Sequence, residues 1–502
     1  MYLSMKNWLS SKPLHPTLLI GPLLFFALTY ITLTPSLKLI PALSSYDQKR
    51  LLECVLLVFG VASLLTSRTL QQELTNSFLR FGKLQRGFVI AIFGLGLLSA
   101  LFATDIQKAL VEVSLYLLLF INCLLIAVQW QKYQLESLQA FAYALLLSAG
   151  FYLIAFLSAY IAANVNGPSA AHWDLFVNFS HVRFLSQFQS WTLPLIVLPV
   201  FLSNRFSTGL GRWLFIAIAS GWWLILFSSG TRGTLLGLVV AGIVTALAFG
   251  RRSLPWFKWQ TVTMCLGLLS YCLLFLLPPL FGGMDTTAIQ HGTIGRTLTH
   301  PHGRFHLWEV ALTMIGENPF LGVGPMQYAC GVTNGIAAHP HSAVFQIAAE
   351  WGLPVILMVA LLWLNGVRNW IRLGRNELAT SQRTQDGPAM IYPALLAALI
   401  TASTHALFSG VIVMPLSQVA MILVIGCMLG IYRLHGPRRE LPACPPYKRL
   451  IWLVIAILAV VGLVTGILPD LRLTNDVFNA THIPAGAGFY MPRFWQQGLI
   501  CG

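Results

Sequence analysis

Residues 433–449 read RLHGPRRELPACPPYKR. The stretch carries Arg433, Arg438, Arg439, Lys448 and Arg449, and it separates two apolar runs, 416–432 and 450–468. An apolar run of roughly 17–25 residues crosses a bilayer as a helix. A dense basic turn between two such runs stays on the cytoplasmic side. These two rules organise the whole chain.

The 502 residues are 56% hydrophobic and only 9% charged, with mean hydropathy +0.73. A soluble domain carries about 25% charged residues. Runs of helical length, in a medium where every backbone group must be satisfied internally, give an all-α polytopic membrane protein. Thirteen candidate spans lie near 17–34, 51–66, 87–103, 109–129, 140–162, 189–203, 213–228, 235–250, 260–281, 353–367, 389–408, 416–432 and 450–468. The expectation is therefore about 12–13 transmembrane helices.

Lys6 and Lys12 precede the first run, which reads as an uncleaved signal-anchor with a cytoplasmic N-terminus. With that orientation, the inward segments hold 21 basic residues and the outward segments 10, although the outward segments are longer in total. The formal net charge of +15 thus marks cytoplasmic turns. No basic run interleaved with aromatics forms a nucleic-acid platform. The inward loops are short and carry no nucleotide-binding signature. The eight cysteines show no CxxC and no zinc spacing.

The longest loop, 282–352, then faces outward, as do 163–188 and the tail 469–502. The division is an N-terminal bundle of about nine spans (1–281), the loop 282–352, C-terminal transmembrane helices (353–468) and the tail (469–502). The loop holds six of the twelve histidines: His291, His300, His302, His306, His339 and His341. A loop this long contains structure of its own. GRFHLWEVALTMIGENP (303–319) has helical apolar spacing at Trp308, Ala311, Leu312 and Ile315 and is stopped by Asn318-Pro319, which predicts a helix lying on the membrane surface.

AAHPHSAVFQIAAEWG (337–352) follows a Gly/Pro-rich turn. Pro340 suits the first turn of a helix, which would place His341 in that turn and keep it neutral near pH 7. Neutral imidazole is the form a general base needs. From the residues alone, three roles stay open for His339 and His341: metal ligation, a structural helix start, or catalysis and ligand binding. The second HPH, at 300–302, stays unassigned.

Outward arginines are scarce. Arg232 sits in SSGTRGTLLGL, Arg183 in HVRFLSQFQSW, and Arg304 opens the loop helix. A boundary arginine often snorkels. Three of them beside a histidine on one face suit an anion, because guanidinium pairs with phosphate in a bidentate way. A lipid-linked diphosphate would sit at this depth. A carrier would instead place acids inside spans. Glu53 and Glu112 read as lying near span ends, and His405 is the notable polar residue late in the chain.

GRFHLWEVALTMIGENPFLGVGP followed by HPHSAVFQIAAEWGLP resembles the Wzy-C signature of the O-antigen ligase superfamily. That superfamily comprises O-antigen ligases, Wzy-type polymerases and pilin/protein O-oligosaccharyltransferases. Its motif is a histidine, then Asn, Ser or Gln, nine residues, then Gly-x-x-Gly/Thr/Tyr. His341, Ser342, residues 343–351 and Gly352 match, and Val355 departs at the last position.

The resemblance implies a GT-C-like bundle with one long periplasmic loop containing short helices, in the bacterial inner membrane. It implies an inverting, metal-independent glycosyltransferase without a cofactor, taking a glycan from undecaprenyl diphosphate at the periplasmic face. His341 would activate the acceptor hydroxyl, and Arg232 and Arg304 would hold the diphosphate. Arg183 joins them on sidedness, and His339 and Ser342 support. The acceptor is a pilin or other protein, lipid A–core, or a growing glycan. The outward tail favours protein (pilin) O-glycosylation, followed by lipid A–core ligation and then a Wzy-type polymerase. A lipid-linked glycan flippase is the rival from another class. Cys330 and Cys501 are both outward, and whether they pair and tie the tail to the loop stays open.

Overall fold

The structure, a computed structural model, describes residues 20–165, 172–277, 304–331, 337–380, 387–436, 445–477 and 492–496. Among them every regular element is helical. The N-terminal half contains α1 (Pro22–Leu33), α2 (Ser45–Thr66), α3 (Arg68–Leu79), α4 (Lys83–Leu101), α5 (Ile106–Val165), α6 (Val182–Thr192), α7 (Gly209–Ser229), α8 (Arg232–Phe249) and α9 (Leu254–Tyr271). The rest contains α10 (Arg304–Glu317), α11 (Ala343–Trp351), α12 (Leu353–Thr380), α13 (Ile391–Ala406), α14 (Pro415–His435) and α15 (Pro446–Val477).

Among the described residues nine helical segments are long and apolar enough to cross a membrane, or ten if the bent pair α2–α3 counts as one span. The described parts of the thirteen expected runs fall on helical segments, and the lower count has physical causes. The 60-residue stretch α5 holds two of the runs as two helices that meet at a non-helical kink at Gln134, where φ is 39° and ψ −109°. Arg232–Leu276 contains two more, separated by a tight turn at Gly250–Ser253. α1 is only 12 residues long. α2 turns into α3 through 112° at Ser67, whose hydroxyl accepts the Leu70 N–H at 3.2 Å and so starts the second helix.

In lipid, helices associate through small residues that let backbones approach. Gly233 and Gly237 of α8 face His405 and Thr401 of α13, and Gly426 and Gly430 of α14 face the Cys123 and Ala127 carbonyls of α5. These are the most extensively packed helix pairs in the structure. The first of them brings the start of α8, with Arg232, against His405 and positions the site described next.

The expected loop helix 303–319 is present as α10, Arg304–Glu317. The helix expected to begin near Pro340 does not: α11 starts at Ala343, after Ser342. His291, His300, His302 and Cys501 lie outside the described residues.

Candidate functional site

α11 is nine residues long and spans the interval between Ser342 and Gly352. Ser342 is its N-cap, its Oγ accepting the Phe345 N–H at 3.5 Å. Gly352 ends it with φ +89°, ψ 163°, a conformation essentially restricted to glycine. The stop is a docking point. Leu353 N donates to the Pro319 carbonyl and Val323 N to the Ala349 carbonyl, both at 2.8 Å. The Gly/Pro-rich 319–324 turn is thereby joined to the end of α11. Val355, in the motif's last position, is buried with Trp351, Ala100, Ala103, Ala109 and Val113.

His341 stands before the cap, in the left-handed region at φ +54°. The expected place in the first helical turn is therefore corrected: the Ser342 side chain takes the capping role and leaves His341 outside the helix. The His341 N–H donates to Nδ1 of His339 at 3.2 Å, and the two rings meet edge to face with centroids 4.3 Å apart. His339 is buried and its ring lies against Gly410. Trp308 of α10 donates from Nε1 to the Pro340 carbonyl at 3.1 Å and packs on Phe345 of α11. This ties the start of α10, with Arg304, to the histidine loop.

The three arginines each stand at the described start of a helix. Arg183 is the second residue of α6, Arg232 the first of α8 and Arg304 the first of α10. His181 caps α6, accepting the Arg183 N–H on Nδ1 at 3.1 Å. α6 and α8 are joined where Thr234 Oγ1 donates to the Ser186 carbonyl at 2.9 Å. His405 Nδ1 lies 2.8 Å from Ser190 Oγ and 3.2 Å from Thr234 Oγ1, completing a polar knot of α6, α8 and α13.

Burial pushes the His341 imidazole down to about 3, and the positive charges of Arg183, Arg304 and His181 push in the same direction. Burial also lowers His339, with His341 and Arg493 adding to the effect. Both rings are neutral at physiological pH. Arg183 and Arg304 thus share one electrostatic neighbourhood with His341, and both also act on His405. Arg232 joins through Gly233, the residue that touches the His405 ring.

Sequence reasoning missed a set of buried ion pairs beside this centre. Arg493, in the tail, bonds Glu112 of α5 and Glu350 of α11. Arg50 of α2 donates to Glu53 Oε2 and to Gln418 Oε1, both at 2.5 Å. Glu53 and Glu112, read as lying near span ends, are buried and paired. Burial raises the Glu350 carboxyl above its ordinary range, Arg493 opposing and Glu112 adding to the rise. A signal was present: an acid inside an apolar run requires a cation at the same depth.

Residues 214–360 match the Wzy_C family model, described as O-antigen ligase. That stretch of the chain resembles a Wzy_C domain. No curated protein matches the chain. Arg232, Arg304, His339 and His341 lie inside the Wzy_C match, whereas Arg183, His405, Glu112 and Arg493 lie outside it. The match supports an O-antigen-ligase type of membrane enzyme and implies a lipid-linked glycan as substrate.

Proposed function

We propose that this protein transfers a glycan from undecaprenyl diphosphate to an acceptor hydroxyl at the periplasmic face of the bacterial inner membrane. The observation that carries the reading is a neutral, half-buried histidine, His341, on which the positive charges of Arg183 and Arg304 both act. Arginines at helix starts favour an anion, since each helix N-terminus adds its own partial positive charge. Arg183, Arg232 and Arg304 hold the diphosphate. His341 takes the proton from the acceptor O–H as that oxygen attacks the anomeric carbon. The carbon–oxygen bond to the diphosphate breaks, and its electron pair leaves with the phosphate into the arginine field. Attack opposite the leaving group inverts the anomeric centre, and the arginines stabilise the developing charge without a metal.

A base lowered to about 3 is weak while the site is empty. Bound diphosphate offsets the arginine charges that help to lower it, so donor binding strengthens the base. His339 fixes the His341 backbone through its Nδ1 and supports the base. The favoured acceptor is a protein hydroxyl, pilin Ser or Thr, in keeping with the outward orientation assigned to the tail.

The test is a deletion strain complemented with wild type or His341→Ala, read by pilin mass and by the lipopolysaccharide ladder. Wild type restores one glycan product, whose identity names the acceptor. His341→Ala inserts in the membrane and restores none, since general-base catalysis contributes typically 10²–10⁴-fold. Normal transfer by that variant refutes the assignment.

A further inference from the structure

Residues Pro492–Gln496 return to the bundle and enter it beside the histidine centre. Arg493 is 2% exposed. Its Nη2 donates to Glu112 Oε1 and Oε2 at 2.7 Å each and to Glu350 Oε2. The backbone around it is held as firmly. Tyr46 of α2 donates its hydroxyl to the Arg493 carbonyl at 2.7 Å, and Arg50 Nε donates to the Phe494 carbonyl at 3.1 Å. The Gln496 N–H donates to Asp47 Oδ1 at 2.7 Å, and Trp495 Nε1 to Asp470 Oδ2 at 2.8 Å.

Glu350 is the point that matters. It lies one residue from the end of α11, and His341 lies two residues before the start. Nine residues of helix form a rod about 13 Å long, so whatever fixes one end sets the direction of the other. The second Glu350 oxygen, Oε1, accepts the Tyr328 N–H at 3.0 Å, so the carboxylate is held from both sides. Glu112 belongs to α5, in the helix that precedes the Gln134 kink.

We propose that Arg493 is a positioning residue for the transfer site. Its guanidinium ties the Wzy_C helix α11 to the scaffold helix α5 and thereby sets where His341 stands. The proposal rests on the glycosyl-transfer reading above. Because the arginines hold the donor and His341 acts as the acceptor oxygen attacks, loosening α11 lowers turnover more than donor binding.

The experiment uses the full-length protein in proteoliposomes, with undecaprenyl-diphosphate-linked glycan extracted from host membranes. Pilin and lipid A–core preparations from the deletion strain serve as acceptors. Arg493→Gln is expected to lower kcat at least tenfold, with KM for the donor within twofold of wild type. Glu350→Gln behaves the same way, and the double variant is no worse than either single one. Arg493→Lys keeps the charge on a shorter side chain that reaches less far toward the two carboxylates than Nη2 does, and it retains an intermediate kcat. Wild-type kcat in Arg493→Gln overturns the proposal. A loss that vanishes when rates are normalised to folded protein also overturns it, because it marks a purely structural ion cluster. If Arg493→Gln does not accumulate in the membrane, the same two criteria applied to Arg493→Lys decide. His341→Ala runs alongside: an active His341→Ala refutes glycosyl transfer itself, whereas an inactive one beside a fully active Arg493→Gln refutes only the positioning role.

Discussion

Replacing Gly352 by Ala tests whether the Wzy_C signature is a geometric device. A side chain at φ +89°, ψ 163° costs about 1–3 kcal/mol in backbone strain. The added Cβ is also directed at backbone: the Phe320 carbonyl lies closest, with Leu321 N at 3.0 Å. Backbone on both sides gives way only if α11 and the 319–324 turn separate. That puts at risk the two 2.8 Å bonds joining them, each contributing about 1 kcal/mol. The sum is about 3–5 kcal/mol against the docked arrangement, a shift of a hundredfold or more in its population. Thermal unfolding of the purified protein and initial rates of glycan transfer are measured together. Gly316→Ala in α10 is the control, since a Cβ there meets nothing within 4 Å; it is neutral or slightly stabilising, as Ala is the better helix former. The reasoning is refuted if Gly352→Ala melts and turns over like wild type, or if Gly316→Ala loses as much.

The pH profile gives a second check. The limb of kcat/KM reports the free enzyme, and a base lowered to about 3 is already deprotonated above that value, so kcat/KM shows no acid limb above about pH 4. Donor binding cancels arginine charge and raises the base, so the acid limb of kcat lies at higher pH than that of kcat/KM. Arg304→Gln removes one of the charges that lower His341, and the acid limb of its kcat/KM moves up in pH. An unmoved limb shows that the titrating group is not His341. Arg232→Lys keeps the charge but cannot form two parallel bonds to phosphate; it is expected to lower kcat/KM about tenfold or more, and unchanged kinetics show that Arg232 merely snorkels.

Helix positions were legible because hydropathy is a local property. Residues 109–129 and 140–162 fall on the two parts of α5 as expected, and only the kink between them at Gln134 needed the structure. The interval from His341 to Gly352 was legible as a spacing, and its physical content is a nine-residue helix between a serine cap and a glycine stop. The start of that helix was misread because Pro340 offers a plausible first turn, whereas the Ser342 hydroxyl is the stronger local signal for a cap. Arg493, Glu112 and Glu350 were illegible as a group. Their separations along the chain are 381 and 143 residues, and no periodicity links them. Val355 is a milder case: the family position is polar or small, and here burial beside Trp351 makes an apolar residue fit.

The Arg493 junction also bears on how the protein is made. Tyr46 and Arg493 are 447 residues apart, and Glu112 and Glu350 are both synthesised before the cation that joins them. A nascent chain that has inserted α11 holds two buried carboxyls awaiting a charge still on the ribosome. Leaving two carboxyls unpaired in the bilayer is costly, so the docking of α11 beside α5 is unfavourable until their partner is in place. The arrival of Arg493 supplies that partner to both. The junction of α5 and α11 therefore closes only after a segment 143 residues beyond Glu350 has been made.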